Sequence, residues 1–164
     1  MPQNDGVMEI AVHEPQLVKQ TIGEHHTYPV FGKDSLGEIE CSRRFQNFID
    51  FRAMLVTRYP GLYIPPIPPK KTTGSKDNAV IQERHYFLDL FLKECASLKY
   101  LCQSKELQIF LRPQGDLGDF FKKVYAPKAT DLLIAYRATL AITEDRADQN
   151  VAIFGEEISQ FVED

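Results

Sequence analysis

Between Leu62 and Lys71 the chain reads Leu-Tyr-Ile-Pro-Pro-Ile-Pro-Pro-Lys-Lys, four prolines in ten residues. Proline fixes φ and has no N–H to donate, so this stretch can be neither helix interior nor central strand. Successive prolines favour extended polyproline geometry. The stretch is therefore expected to form a stiff strap across the surface, with Ile64 and Ile67 able to pack it onto its own domain. The rival reading is a ligand for a proline-recognising groove, since such segments dock pre-formed. The strap ends in two lysines.

Upstream of the strap, Met8, Ile10 and Val12 alternate with Glu9, Ala11 and His13, the period of a half-buried strand. Pro15 weakens further ladder pairing, so Glu14-Pro15 reads as a bend or an edge. A second strand is expected over His26 to Gly32, interrupted by Pro29. Asp34-Ser35-Leu36-Gly37 reads as a hairpin turn. A third strand, Glu38 to Arg44, places Ile39, Cys41 and Arg43 on one face and Glu40, Ser42 and Arg44 on the other. A helix follows from Arg44 or Phe45, with Phe45, Phe48, Phe51 or Arg52, Leu55 and Tyr59 on one stripe, and Pro60-Gly61 stops it.

Beyond the strap, Thr72 to Asn78 is polar. A second helix is expected from Asp77 or Asn78 to Cys95, with Ile81, Arg84, Leu88, Phe91 and Cys95 sharing a face. A short helix over Ser104 to Leu111 precedes Pro113-Gln114-Gly115, the expected domain boundary. The fold class is α+β: a three-stranded antiparallel sheet packed on a helical subdomain over residues 1–113. Residues 114–164 read as a helical extension. In it, Asp119 to Ala126 forms a short amphipathic candidate, whose Phe120, Phe121 and Val124 lie beside Lys122 and Lys123. Ala129 to Ile142 reads as helix, and Val151, Phe154, Ile158 and Phe161 form a heptad-spaced seam that ends with the chain. That ending reads as a piece of a longer helical protein.

Charge is divided unevenly along the chain. Residues 1–113 hold 14 Lys and Arg against 13 Asp and Glu, whereas residues 114–164 hold 5 against 10. An anion-binding site is therefore expected in the first part. No run approaches the ~18 consecutive apolar residues of a membrane-spanning helix, and Met1 to Gly6 lacks the order of a secretory signal. Cys41, Cys95 and Cys102 have no metal-type spacing and read as reduced thiols of a cytosolic protein. No nucleophile constellation or Gly-rich phosphate loop is present, so neither an enzyme nor a cofactor-binding protein is expected. No nucleic-acid partner is expected either.

The cationic residues fall where the backbone changes direction. Arg44 sits at a strand-to-helix junction, where a planar fork of donors can join free N–H groups and the positive end of a helix dipole. The alternative is two solvated arginines paired with Glu38 or Glu40. Phe45 reads either as the first core residue of the helix or as a ring face for a sugar-like ligand. Arg84 lies on the packed stripe of its helix and must be compensated, by a core carboxylate or by a bound anion or water. Lys70 can reach a phosphate as a flexible point charge.

The ordered set is three strands, Arg43-Arg44-Phe45 with Phe48, the proline motif ending in Lys70, and a helix opening near Glu83-Arg84. It resembles the phox-homology (PX) domain of sorting nexins over roughly residues 8–113. The resemblance implies that Arg44 grips the 3-phosphate of phosphatidylinositol 3-phosphate and that Phe45 stacks under the inositol. It also implies that Lys70 contacts the 1-phosphate and that Arg84 binds the 4- and 5-hydroxyls. Lys71 and Lys76 would add diffuse attraction to an anionic membrane, on the order of 1 kcal/mol each. The implied setting is a cytoplasmic protein, peripheral on endosomal membranes and serving trafficking. The extension resembles the start of a BAR-like helical region able to form a homo- or heterodimer. The alternative function is a protein-interaction module of the same fold with little lipid affinity, using the strap or the sheet.

Overall fold

The computed structural model describes residues 8–134 apart from 22, 72, 73, 75, 76, 114, 124–126, 129 and 133. Its sheet is built on one long strand. Among the described residues there are four strands, β1 (Glu9–Val12), β2 (Gln16–Lys19), β3 (Glu24–Asp34) and β4 (Gly37–Arg44), and the other three all pair antiparallel with β3. β1 pairs with Val30 to Lys33, β2 with Glu24 to Thr27, and β4 with Thr27 to Asp34. β4 takes one side of β3, and β1 and β2 share the other.

The expected three-strand sheet is corrected in one respect. The first strand does not end at Pro15 but resumes beyond it as β2, and β3 starts two residues earlier than its apolar pattern indicated. Proline forbids only one ladder bond. Pro29 is tolerated for the same reason: its carbonyl accepts from His13 N–H at 2.8 Å, so the donor it lacks falls opposite the break around Pro15. A side chain at Gly32 would put its Cβ 2.2 Å from the Glu9 carbonyl oxygen, so only glycine lets β1 close on β3 there.

Inward-facing Ile10, Val12, Tyr28, Val30 and Ile39 pack against the helices. These are α1 (Phe45–Arg58), α2 (Asn78–Ser97), α3 (Lys99–Cys102), α4 (Lys105–Leu111) and α5 (Leu117–Lys122). Phe48 and Phe51 of α1 meet Phe110 of α4 at ring-centroid distances of 5.1 and 4.3 Å, which fixes the aromatic centre of the core. α2 covers the outer edge of β1: Val12 N–H donates to Asp89 at 2.9 Å, and the Val12 carbonyl hydrogen-bonds His85 Nε2 at 2.9 Å.

The strap is fastened along its length. Ile64, Pro65 and Pro68 are buried, Arg52 Nε donates to the Pro65 carbonyl at 2.7 Å, and the Tyr100 hydroxyl donates to the Tyr63 carbonyl at 2.6 Å. One side of the strap is thus packed on its own domain, and Pro66 and Pro69 remain exposed.

After Pro113 the chain turns back. Asp116 caps α5 by accepting from Asp119 N–H at 3.0 Å, and Phe121 stacks on Phe51 at 6.2 Å. Phe121 therefore belongs to the domain's own packing and not to an exposed apolar patch, and Val124 lies outside the described residues. The compact unit that contains the sheet is residues 1–129, and residues 130–164 form a second unit. In that second unit residues 130–132 and 134 are helical. The seam from Val151 to Phe161 lies outside the described residues.

Candidate functional site

Arg43 and Arg44 end β4 with opposite orientations, as a two-residue period requires. Arg43 turns inward and is 7% exposed. Its Nε and one terminal nitrogen donate to the Phe110 carbonyl, the other terminal nitrogen to the Ser42 carbonyl, and its guanidinium lies 5.4 Å from the Phe110 ring. It is a structural tie between β4 and α4. Arg44 is the residue before α1, and its own N–H is capped by Asn47 Oδ1 at 2.9 Å. Its exposed guanidinium makes no hydrogen bond or ion pair among the described residues. An arginine cannot cap with its side chain as serine or aspartate would. The positive end of α1 and a guanidinium therefore sit together.

Phe45, the first residue of α1, is 9% exposed, and the guanidinium of Arg84 lies 4.0 Å above its ring centre. Arg84 is itself 9% exposed and stands beside the Tyr28 hydroxyl. Burial raises the pKa of that phenol, and the neighbouring Arg84 charge acts in the opposite direction. Phe45 is packed as the first core residue of α1, and it also has a role the sequence did not indicate, a shelf for Arg84 through a cation–π contact worth ~0.5–2 kcal/mol.

Lys70, exposed at the end of the strap, reaches across to the start of α1 and donates to Gln46 Oε1 at 3.0 Å. Lys71 pairs with Glu83 at 2.6 Å, so part of its charge is already answered. Lys76 lies outside the described residues.

Arg44, Phe45, Lys70, Lys71 and Arg84 line one cavity of about 670 Å³. Three separate elements supply them: the β4–α1 junction, the strap and α2. Its remaining wall comes from the β2–β3 hairpin, through Leu17, Glu24, His25 and His26, with Tyr28 deeper on the same strand. The sequence reading missed this wall because it depends on β2. The available signal was the two-residue spacing of Glu24, His26, Tyr28 and Val30, which places all four on the inward face of β3.

The second arginine of a pair at a strand end, the lysines closing a packed proline strap and an arginine on the buried face of the next helix thus converge on one cavity. Residues 32–114 match the family described as PX domain. The chain belongs to the PX-domain family. Its relatives are sorting nexins and vacuolar sorting proteins. It is 28% identical over 119 residues to vacuolar protein sorting-associated protein vps5 of Schizosaccharomyces pombe, covering 69% of this chain and 21% of that protein. It is 32% identical over 115 residues to human sorting nexin-7, covering 65% of this chain and 30% of the relative. The PX-domain chain thus spans a fifth to a third of the length of these relatives. Among solved structures, the SNX-BAR Mvp1 tetramer determined by cryo-EM superposes with a TM-score of 0.60 at 21% identity, covering 92% of this chain and 41% of that one. At that identity the likeness shows the PX fold alone.

Proposed function

We propose that this PX domain holds a phosphoinositide headgroup in the cavity, phosphatidylinositol 3-phosphate foremost, and thereby brings a sorting-nexin-like protein to endosomal membranes. The observation that carries the reading is the convergence of Arg44, Lys70 and Arg84 from three elements on one cavity. In this reading Arg44 takes the 3-phosphate, because its guanidinium has no partner of its own among the described residues and lies at the start of α1. Lys70, on a neutral amide at the mouth, takes the 1-phosphate. Arg84, resting on Phe45, addresses the ring hydroxyls. Phe45 supports the headgroup chiefly through Arg84. Lys71 and Lys76 add attraction to the anionic surface. No catalytic step belongs to this function.

A bidentate arginine–phosphate contact is a charge-assisted pair of roughly 1.5–3 kcal/mol. Arg44→Ala should therefore weaken binding to vesicles carrying phosphatidylinositol 3-phosphate about tenfold or more, with the melting temperature unchanged. Binding equal to the parent's would remove this cavity from the function.

A further inference from the structure

Two consecutive lysines close the strap, and their side chains part company. Lys70 reaches α1 and donates to Gln46 Oε1 at 3.0 Å, whereas Lys71 reaches α2 and donates to Glu83 Oε2 at 2.6 Å. Both lysines line the cavity, but only one of their partners does: Gln46 is part of the wall and Glu83 is not. The head of Lys70 is therefore held against the wall, and that of Lys71 is drawn to a carboxylate outside it. The partners also differ in charge. A neutral amide holds an ammonium in place and leaves its charge for a ligand. A carboxylate answers that charge, and an incoming phosphate would have to displace it.

The Gln46 amide is itself fixed. Its Nε2 donates to Asp50 Oδ1 at 2.8 Å, one turn further along α1. That bond turns Oε1 to Lys70. The reverse orientation would set donor against donor at Lys70 and acceptor against acceptor at Asp50. We infer that Gln46 is a positioning residue for the headgroup: anchored by Asp50, it holds Lys70 in the cavity with its charge free, while Glu83 withdraws Lys71. The partner of each lysine, and not the strap alone, thus decides which of the two meets a phosphate. This rests on the phosphoinositide reading above and adds the residue through which the strap's cation is aimed.

The test is calorimetry of the full chain with soluble inositol 1,3-bisphosphate, which reads the cavity without a membrane, beside co-sedimentation with phosphatidylserine vesicles as a charge control. Gln46 and Lys70 are both exposed, so their variants should fold as the parent does. Gln46→Ala should weaken headgroup binding about threefold or more, yet by less than about 1.5-fold in a Lys70→Ala background, since nothing is left to position. Gln46→Glu, which gives Lys70 a carboxylate partner like that of Lys71, should weaken it further than Gln46→Ala. Lys71→Ala should stay within about twofold of the parent. Phosphatidylserine binding should not respond to Gln46→Ala, which leaves the net charge unaltered. A parent that binds the headgroup while Gln46→Ala binds it equally well overturns the inference alone. So does a Gln46→Ala loss that is the same with and without Lys70, or a larger loss from Lys71→Ala than from Lys70→Ala. A parent that binds no headgroup overturns the functional reading and this inference together.

Discussion

Adjacent arginines have opposite duties here. Arg44 projects from the domain with its guanidinium exposed, whereas Arg43 spends its donors on the carbonyls of Phe110 and Ser42. Replacing Arg43 with methionine would keep most of the apolar stem but leave the buried Phe110 carbonyl without its side-chain donors. An orphaned buried acceptor costs ~1–3 kcal/mol. Arg43→Met should therefore lower the unfolding free energy by that amount, read as a lower denaturant midpoint at unchanged m, while the folded protein retains its affinity for vesicles. The pair of variants separates structure from recognition. Arg43→Met with unchanged stability but lost binding would mean that Arg43, not Arg44, faces the ligand.

At the scale of elements, the β3–β4 hairpin is locked to α4 by one carboxylate. Asp34 accepts from Leu36 N–H at 2.8 Å, which closes the turn, from Arg112 at 2.8 and 2.9 Å, and from Gln108 at 2.9 Å. Arg112 also donates to the carbonyls of Gly37 and Glu38, which covers that end of the open β4 edge. Burial alone would raise the Asp34 pKa, but the hydrogen bonds from Arg112, Gln108 and Leu36, together with the Arg112 charge, leave it below its ordinary value. A depressed folded-state pKa gives stability that is present above the unfolded value of ~3.9 and is lost as pH falls through the lower folded value. Asp34→Asn should cost ~1–3 kcal/mol at neutral pH, and the gap from the parent should shrink as acid protonates Asp34. Denaturant melts of both proteins across that range would show it. A gap that stays constant as the pH is taken progressively below the unfolded value of ~3.9 would show that the carboxylate's charge contributes nothing to the lock.

For the whole molecule, the two compact units differ in charge. Residues 130–164 carry 8 acidic and 2 basic residues, a balance that disfavours an anionic bilayer. The heptad spacing of Val151, Phe154, Ile158 and Phe161 in the sequence predicts an apolar side that would be buried against another helix. We expect weak self-association through residues 129–162, with two cavities presented together and a gain in vesicle affinity by avidity. The right comparison is a chain ending at Ala129, which keeps Leu117 and Phe121 in place against the core. Sedimentation of the two should show association in the longer chain only. Two monomers of equal vesicle affinity would leave the seam without a role in assembly.

Local chemistry was sufficient for much of this protein. The strap, the two long helices, the β3–β4 hairpin and the positions of Arg44, Lys70 and Arg84 follow from proline stereochemistry, period-two and period-3.6 patterning and the placement of charge. Their order was enough to suggest the family. Three matters depended on how distant segments pack. Whether Arg43 or Arg44 turned inward required the Phe110 carbonyl, 67 residues away. The cation on the Phe45 ring required α2 to bring Arg84 over it. Whether the chain continued as strand beyond Pro15 required β3 as a template, since Gln16 to Lys19 has no buried residue of its own. A short exposed strand leaves almost no hydrophobic signature, and for that reason the hairpin wall of the cavity, with Glu24 in it, became visible only in three dimensions.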